Sequence, residues 1–294
     1  MNMPLVLVTG GSGQVGTGIA RANDGRFTLV MPTHAELDLS DAEAIATFVG
    51  SRDWAAIINC AAYTAVDRAE SEPTAAYAIN AEAPRAFAQA CAVRHIPLLQ
   101  VSTDYVFDGT KLDAYTEDDP VAPLGVYGAS KEAGERAVRD AGGRYAILRT
   151  AWVVSPWGNN FIKTMLRLGA ERDTLKVVTD QHGCPTSAQD IAETLLTLAE
   201  RFIGDPKQQS GTWHFVNAGE ATWHVLATHV LRHAAIHYGR KLPAIDAITT
   251  ADFPTPARRP ANSRLSTAKL TRDFAIRPRE WQEAIDTILK ELVA

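Results

Sequence analysis

The stretch Leu5-Val-Leu-Val8, followed at once by Thr9-Gly-Gly-Ser-Gly-Gln-Val-Gly16, constrains this chain more than any other part of it. A short apolar run bounded by glycines reads as a buried strand. The glycines at 10, 13 and 16 end it, and a helical pattern follows through Ile19 and Ala20. Strand, glycine turn and helix N-terminus together make a phosphate cradle. The glycines let the backbone approach a pyrophosphate, and the first helical N–H groups have no partner inside the helix. A dinucleotide-binding unit is the expectation.

The chain as far as about residue 150 supports it. Strands are expected over Phe27–Met31, Ala55–Ala62, from Pro97 to Thr103, and over Tyr145–Thr150. Between them lie helical patterns. One runs from Ser40 to Val49, with Ser40 and Glu43 spaced as a capping box. Another runs from Ala75 through Asn80 into Ala83–Arg94, with a kink expected at Pro84. Alternating strands and helices predict an α/β fold, a Rossmann-type doubly wound parallel sheet with crossover helices. Past residue 150 the alternation loosens. Helices are expected over Phe161–Leu168, Ser187–Phe202, Trp223–Tyr238 and Pro278–Leu292, with irregular chain around Pro243, Pro254, Pro256 and Pro260. The expected organisation is a dinucleotide-binding domain over 1–150 and a smaller mixed α/β domain over 151–294, interleaved with returns to the main sheet.

In a doubly wound sheet ligands sit beyond the strand carboxyl ends. Ser102 and Thr103 are therefore expected to face the same crevice as the glycine turn, and the small Ala61 and Ala62 to leave room there for a flat cofactor. Tyr127 and Lys131 stand four residues apart at the start of a helical pattern, which puts phenol and ammonium on one face, one turn apart. A nearby ammonium favours the phenolate, so the Tyr127 pKa is expected to move down toward neutrality. Such a tyrosine can give or take a proton at a carbinol oxygen. After the second strand, Pro32-Thr-His34 offers neither a carboxylate for a ribose hydroxyl nor an arginine for a 2′-phosphate. Asp38 is within reach of the adenine or its ribose, and the choice of cofactor stays open.

Several function classes are set aside. A net charge of −5 gives no basic footprint for nucleic acid. No apolar run approaches the roughly 18 residues of a membrane span, and the N-terminus lacks a basic leader, so a cytoplasmic location is expected. Cys60, Cys91 and Cys184 are scattered and supply neither a disulfide framework nor a metal knuckle. His229, His233 and His237 recur every four residues, but no carboxylate is spaced beside them like a known site. A half-buried helix face explains them as well, and no metal ligand is assigned. Cys184 reads as structural. Arg258-Arg259 reads equally as a charged surface run or as a bidentate grip on phosphate.

The Thr9–Gly16 turn, Ser102-Thr103 and Tyr127-x-x-x-Lys131 resemble the extended short-chain dehydrogenase/reductase family. Further blocks resemble its branch that reduces the C4 ketone of a dTDP-linked 4-dehydro sugar to dTDP-L-rhamnose. These are Asn59-Cys-Ala-Ala-Tyr-Thr-Ala-Val-Asp67, Val101-Ser-Thr-Asp-Tyr-Val-Phe-Asp-Gly109, Leu148-Arg-Thr-Ala-Trp152, Asp180-Gln-His-Gly-Cys-Pro-Thr186 and Arg258-Arg-Pro-Ala-Asn-Ser-Arg-Leu265. The resemblance implies Tyr127 as proton donor, Lys131 as its helper and holder of the nicotinamide ribose, and Thr103 as a hydroxyl on the sugar. It implies NADPH or NADH on Gly10, Gly13, Gln14, Val15, Gly16, Asp38, Leu39, Ala62, Tyr63 and Thr64. It implies a dTDP sugar on Thr103, Asp104, Trp152, Asn160 and Arg259. A homodimer bridged by Mg²⁺ belongs to some relatives that carry a carboxylate where this chain has Gly18, and His34 stands roughly where many have an arginine. The residues alone also admit an epimerase or dehydratase of the same fold, or a non-catalytic regulatory subunit like that of methionine adenosyltransferase. The intact Thr103, Tyr127 and Lys131 argue against the subunit, and Asp104-Tyr105 in place of an acidic pair argues against the dehydratase.

Overall fold

The computed structural model describes residues 3–293. Its centre is a parallel sheet of β1 (Leu5–Thr9), β2 (Thr28–Val30), β3 (Ala56–Asn59), β4 (Leu98–Thr103), β5 (Tyr145–Thr150) and a sixth strand, Gly211–His214. The spatial order is sixth strand, β5, β4, β3, β1, β2. The chain leaves β1 for β2 on one side and crosses to β3 on the other. This is the strand-order reversal at which doubly wound sheets bind ligands. Leu7 lies level with Val30 and Ile57, Thr9 with Asn59, and Thr103 with Thr150. The carboxyl ends that carry the expected site residues therefore end on one edge.

The helices that follow the first four strands are α1 (Gln14–Ala22), α2 (Ala42–Gly50), the short α3 (Val66–Ala69) and α4 (Pro73–Tyr77), α5 (Ala83–Arg94) and α6 (Val126–Asp140). Beyond β5 come α7 (Phe161–Glu171), α8 (Ala188–Gly204), α9 (Trp223–Tyr238), α10 (Ala268–Phe274) and α11 (Trp281–Val293). Both sheet faces are covered, so the strands read as continuous apolar runs rather than alternating ones. On one face Ile19 of α1 and Ile191, Leu195 and Phe202 of α8 pack on Val6, Val8 and Ile58. On the other, Ile45 and Val49 of α2, Phe87 of α5 and Val138 of α6 pack on Leu7, Ile57 and Leu98. A separate core of Ile162, Met165, Leu226, Val230, Ile285 and Leu289 joins α7, α9 and α11. Among the described residues no helix is long and apolar enough to cross a membrane.

Several local expectations are corrected. Asp41, not Ser40, caps α2 and accepts from Glu43 N and Ala44 N, while the Ser40 hydroxyl donates to Asp38. The carboxylate is the better acceptor so close to the positive helix end. Pro84 is preceded by a π-turn, Ala78–Glu82, rather than a simple kink. Proline cannot donate to the carbonyl four residues back, which is Asn80. That carbonyl instead faces Gly134 of α6, where a Cβ would fall 2.1 Å from it, so only glycine lets the two helices meet. The proline-rich segment contains a strand, Ala244–Ile248, paired with Thr174–Val178. Pro243 and Pro254 lie outside that ladder and cost it no hydrogen bond. The short helix α10 is also additional to the sequence reading.

Candidate active site

The glycine turn is held by packing of backbone on backbone. Gly10 adopts φ +71°, and a Cβ there would fall 2.7 Å from Ala61 N. At Gly16 a Cβ would fall 2.2 Å from the Gly10 carbonyl oxygen. Gly13 is the N-cap of α1 and offers no side-chain cap, and the first turn holds no acidic residue. The N–H groups at this helix end are therefore free for an anion, so the residues present fit a dinucleotide pyrophosphate. Val15 turns its side chain into the core and can offer only its backbone. Gln14 locks the turn to the other half of the molecule. Its Oε1 accepts from Ser155 Oγ (2.6 Å) and Asn160 Nδ2 (3.0 Å), and its carbonyl accepts from Trp157 Nε1 (2.7 Å).

Across the crevice, β4 ends in Thr103, buried at 6% exposure, and turns into Asp104 and Tyr105. Ser102 points the other way, as alternate strand residues must. It donates to Glu135 of α6 at 2.6 Å, so the expectation that it faces the crevice is corrected. Thr103 Oγ1 donates to Asp104 Oδ1 (3.0 Å) and accepts from Tyr105 N (3.2 Å). It also reaches the phenol of Tyr127, whose ring packs edge-on against Tyr105 at 5.3 Å. The pairing depends on Gly128, where a Cβ would lie 2.1 Å from the Tyr105 carbonyl oxygen. Gly128→Ala is therefore expected to push the Tyr127 turn off Tyr105 and lower kcat more than it lowers the melting temperature. Steady-state kinetics beside a thermal melt checks this.

Burial pushes the Tyr127 phenol up to about 12, against the hydrogen bond with Thr103. The expected downward shift by Lys131 is thus corrected. The ammonium donates to the Val101 carbonyl at 2.7 Å instead. Burial holds Lys131 down to about 8, against the pull of the Glu135 carboxylate. Burial also favours the neutral form of Glu135, but the Arg149 guanidinium, bonded at 2.6 and 2.8 Å, keeps the carboxyl below its usual range. The Tyr127 phenol is therefore protonated at neutral pH.

Asp104 is 3% exposed, and its Oδ2 has no hydrogen-bond partner. Burial pushes its carboxyl up to about 6, against the lowering pull of the nearby Ser263 and Thr103 hydroxyls. The folded state thus holds this proton between pH 4 and 6, where the unfolded chain has released it. Asp104 costs stability above pH 6, and the cost disappears as pH falls below its unfolded value of 3.8. Against Asp104→Asn, the parent should gain about 2–3 kcal/mol of relative stability between pH 7.5 and pH 4, read from denaturant unfolding at both pH values. An unchanged difference would mean an ordinary carboxyl.

The remaining expected residues fall in several places. Ala62, Tyr63 and Thr64 follow β3, and Asn80 holds that loop. It accepts from Tyr63 N (2.8 Å) and donates to Ser130 Oγ (3.0 Å), which donates to the Tyr127 carbonyl. Asn80, like Gln14's role as a lock, carries no local sequence signal. Asp38 is exposed and accepts from Ser40, while Leu39 is half-buried. Trp152, at φ +49°, stacks on Trp223 with centroids 3.6 Å apart and lies over Gly183, where a Cβ would meet its ring at 2.4 Å. Asn160 caps α7, and its amide is spent on Gln14 and Ser155. Arg259 forms a two-pronged pair with Asp67 at 3.0 Å rather than standing free for phosphate, and Arg258 is exposed. Cys184 is buried, as a structural thiol would be. Gly18 is packed on Ala188 and Ala192 and contributes no metal ligand.

A Rossmann-type sheet with threonine, tyrosine and lysine gathered at its carboxyl edge defines an oxidoreductase of the short-chain dehydrogenase/reductase class. The comparisons narrow it. A match to the RmlD substrate binding domain family spans residues 3–294. The chain is 41% identical over 289 residues to a dTDP-4-dehydrorhamnose reductase of Aggregatibacter actinomycetemcomitans, covering 97% of this chain and 98% of that one. Crystal structures of dTDP-4-dehydrorhamnose reductases from Clostridium acetobutylicum (36% identity) and from Bacillus anthracis in complex with NADP (33%) both superpose with a TM-score of 0.90, over 98% of this chain and 99% of theirs. The chain belongs to the RmlD family of dTDP-4-dehydrorhamnose reductases.

Proposed function

We propose that this chain reduces the C4 ketone of dTDP-4-dehydro-L-rhamnose to dTDP-L-rhamnose with NADPH or NADH, the closing step of dTDP-L-rhamnose synthesis. The observation that carries the reading is the protonated Tyr127 beside Thr103, facing the glycine turn across the switch-point crevice. Gly10, Gly13, Gly16 and the backbone of Gln14 and Val15 would hold the cofactor pyrophosphate, and Ala62, Tyr63 and Thr64 its nicotinamide side. When bound, the nicotinamide supplies a hydride to C4. Thr103 fixes the ketone oxygen by a hydrogen bond, and Tyr127 gives its phenolic proton to that oxygen as charge develops there. Lys131, held on the Val101 carbonyl, would grip the nicotinamide ribose, and the tyrosinate left behind takes its next proton from solvent. The unpartnered Asp104 Oδ2 is an acceptor for a sugar hydroxyl, Trp152 offers an apolar edge to the sugar, and Arg259 reaches phosphate only by releasing Asp67.

Purified protein given dTDP-4-dehydrorhamnose and NADPH should consume reduced nicotinamide one for one with dTDP-L-rhamnose formed. No consumption, or a rearranged sugar without consumption, overturns the reading. The two cofactors should differ in kcat/KM by less than about a thousandfold, the equivalent of about 4 kcal/mol. Glu36 Oε2 accepts from Thr33, Asp38 Oδ1 accepts from Ser40, and His34 is exposed, so no arginine waits for a 2′-phosphate and no carboxylate is reserved whole for a 2′-hydroxyl.

A further inference from the structure

We propose that His229, His233 and Asp286 form a zinc site that ties α9 to α11, apart from the reductase crevice. The two histidines are four residues apart and share one face of α9. Asp286 comes from α11, 57 residues beyond His229, which is why no spacing in the sequence announces it. Its Oδ1 lies 2.7 Å from His229 Nε2 and 2.9 Å from His233 Nδ1, and the three donor atoms fall within 4.8 Å of one another. His237 lies tilted against His233 with centroids 4.3 Å apart and stays outside the donor set.

Three features make this more than two histidines on a carboxylate. The donors stand on two helices fixed by a shared core, with Leu226, Val230, Ile285 and Leu289 all buried. The Trp281 ring packs edge-on against His229 at 5.0 Å and limits where that imidazole turns. The side chains are 24%, 17% and 40% exposed, which leaves an entry path and room for a water as fourth ligand.

Donors about 2.0–2.2 Å from a tetrahedral ion lie roughly 3.4 Å apart. The two contacts to Asp286 need to open by about 0.5–0.7 Å. The ion needs the ring nitrogens that face Asp286 free of protons, so each neutral ring carries its single proton on its other nitrogen, His229 on Nδ1 and His233 on Nε2, by a tautomer shift from the hydrogen-bonded arrangement. Two imidazoles and one carboxylate favour zinc over magnesium or calcium, which prefer all-oxygen shells. Trp223, the first residue of α9, stacks on Trp152. A bound ion therefore stiffens the helix pair behind that ring.

The test is titration of chelator-stripped protein with Zn²⁺ by calorimetry and with Co²⁺ by visible absorption. The parent is compared with Asp286→Asn, His233→Gln and, as a control at an exposed histidine, His95→Asn. The expected result is one equivalent bound at micromolar Zn²⁺, tetrahedral Co²⁺ bands, and a melting temperature that rises with zinc. Loss of even an outer-shell partner costs metal sites about 10–100-fold, so Asp286→Asn and His233→Gln should each weaken binding at least tenfold, and His95→Asn should not. If His233→Gln melts early without metal, the half-exposed Asp286→Asn decides. Binding no tighter than about 100 µM, or binding untouched by Asp286→Asn, overturns the site.

Discussion

Replacing Tyr127 with phenylalanine lowers kcat by at least about 10²–10⁴-fold, the usual worth of a general acid, and leaves cofactor and dTDP-sugar affinity within a few-fold. Hydride arriving at a ketone carbon leaves negative charge on its oxygen, and a proton must meet it. The phenol is the candidate donor because burial keeps it protonated, up to about 12. The Tyr105 edge contact and the Gly128 close approach hold the ring, and phenylalanine keeps both. Only the hydroxyl is removed, so a loss in kcat without a loss in binding reports proton delivery. Lys131→Met should also cost turnover and weaken nicotinamide binding. A Tyr127→Phe enzyme within a few-fold of the parent would move the proton source elsewhere, with Asp104 the first to examine.

Replacing Gly16 with valine abolishes cofactor binding, by more than about 100-fold, in a chain that still folds. A Cβ at Gly16 meets the Gly10 oxygen at 2.2 Å and Gly11 Cα at 2.7 Å, both backbone. No side chain can rotate away, so the turn itself must open, and an opened turn no longer aims its N–H groups at one phosphate. Gly13 differs. Its φ is −76°, and a Cβ there would lie 3.2 Å from the Gly10 oxygen. Gly13→Ala therefore asks the Gly10 carbonyl to shift by only a few tenths of an ångström, and Gly13→Val adds crowding of the pyrophosphate. Calorimetry with NADPH, alongside circular dichroism to confirm folding, separates the two glycines. Equal affinity in Gly16→Val and parent would put the cofactor elsewhere.

The parts legible in the sequence are those written in local pattern. The glycine turn, the Tyr127–Lys131 spacing and the ranges of β5 and α9 follow from neighbours a few residues apart. What stayed hidden depends on partners far along the chain. Asn80 clamps the Tyr63 loop to Ser130 across 50 residues, and Gln14 locks onto Asn160 across 146. Arg259 meets Asp67 across 192 residues. Charge at Tyr127 is not legible in the spacing, which shows how near an ammonium can come and not which carbonyl it prefers. Burial, a property of the whole fold, then decides the sign. The Asp180–Thr186 block was readable as a signature but not as a mechanism. In the structure Gly183 makes room for the Trp152 ring, and Thr186 pairs beside Val153.

The most direct test of the central claim is to run the reaction with nicotinamide cofactor deuterated at C4 and locate the label in the sugar. With dTDP-4-dehydrorhamnose as substrate, using each cofactor diastereomer in turn, one of the two should deliver a single deuterium to sugar C4, seen by NMR, in dTDP-L-rhamnose formed one for one with oxidised cofactor. Product without deuterium at C4 from either diastereomer, or a changed sugar with the cofactor still reduced, would contradict hydride delivery to the C4 ketone at this site.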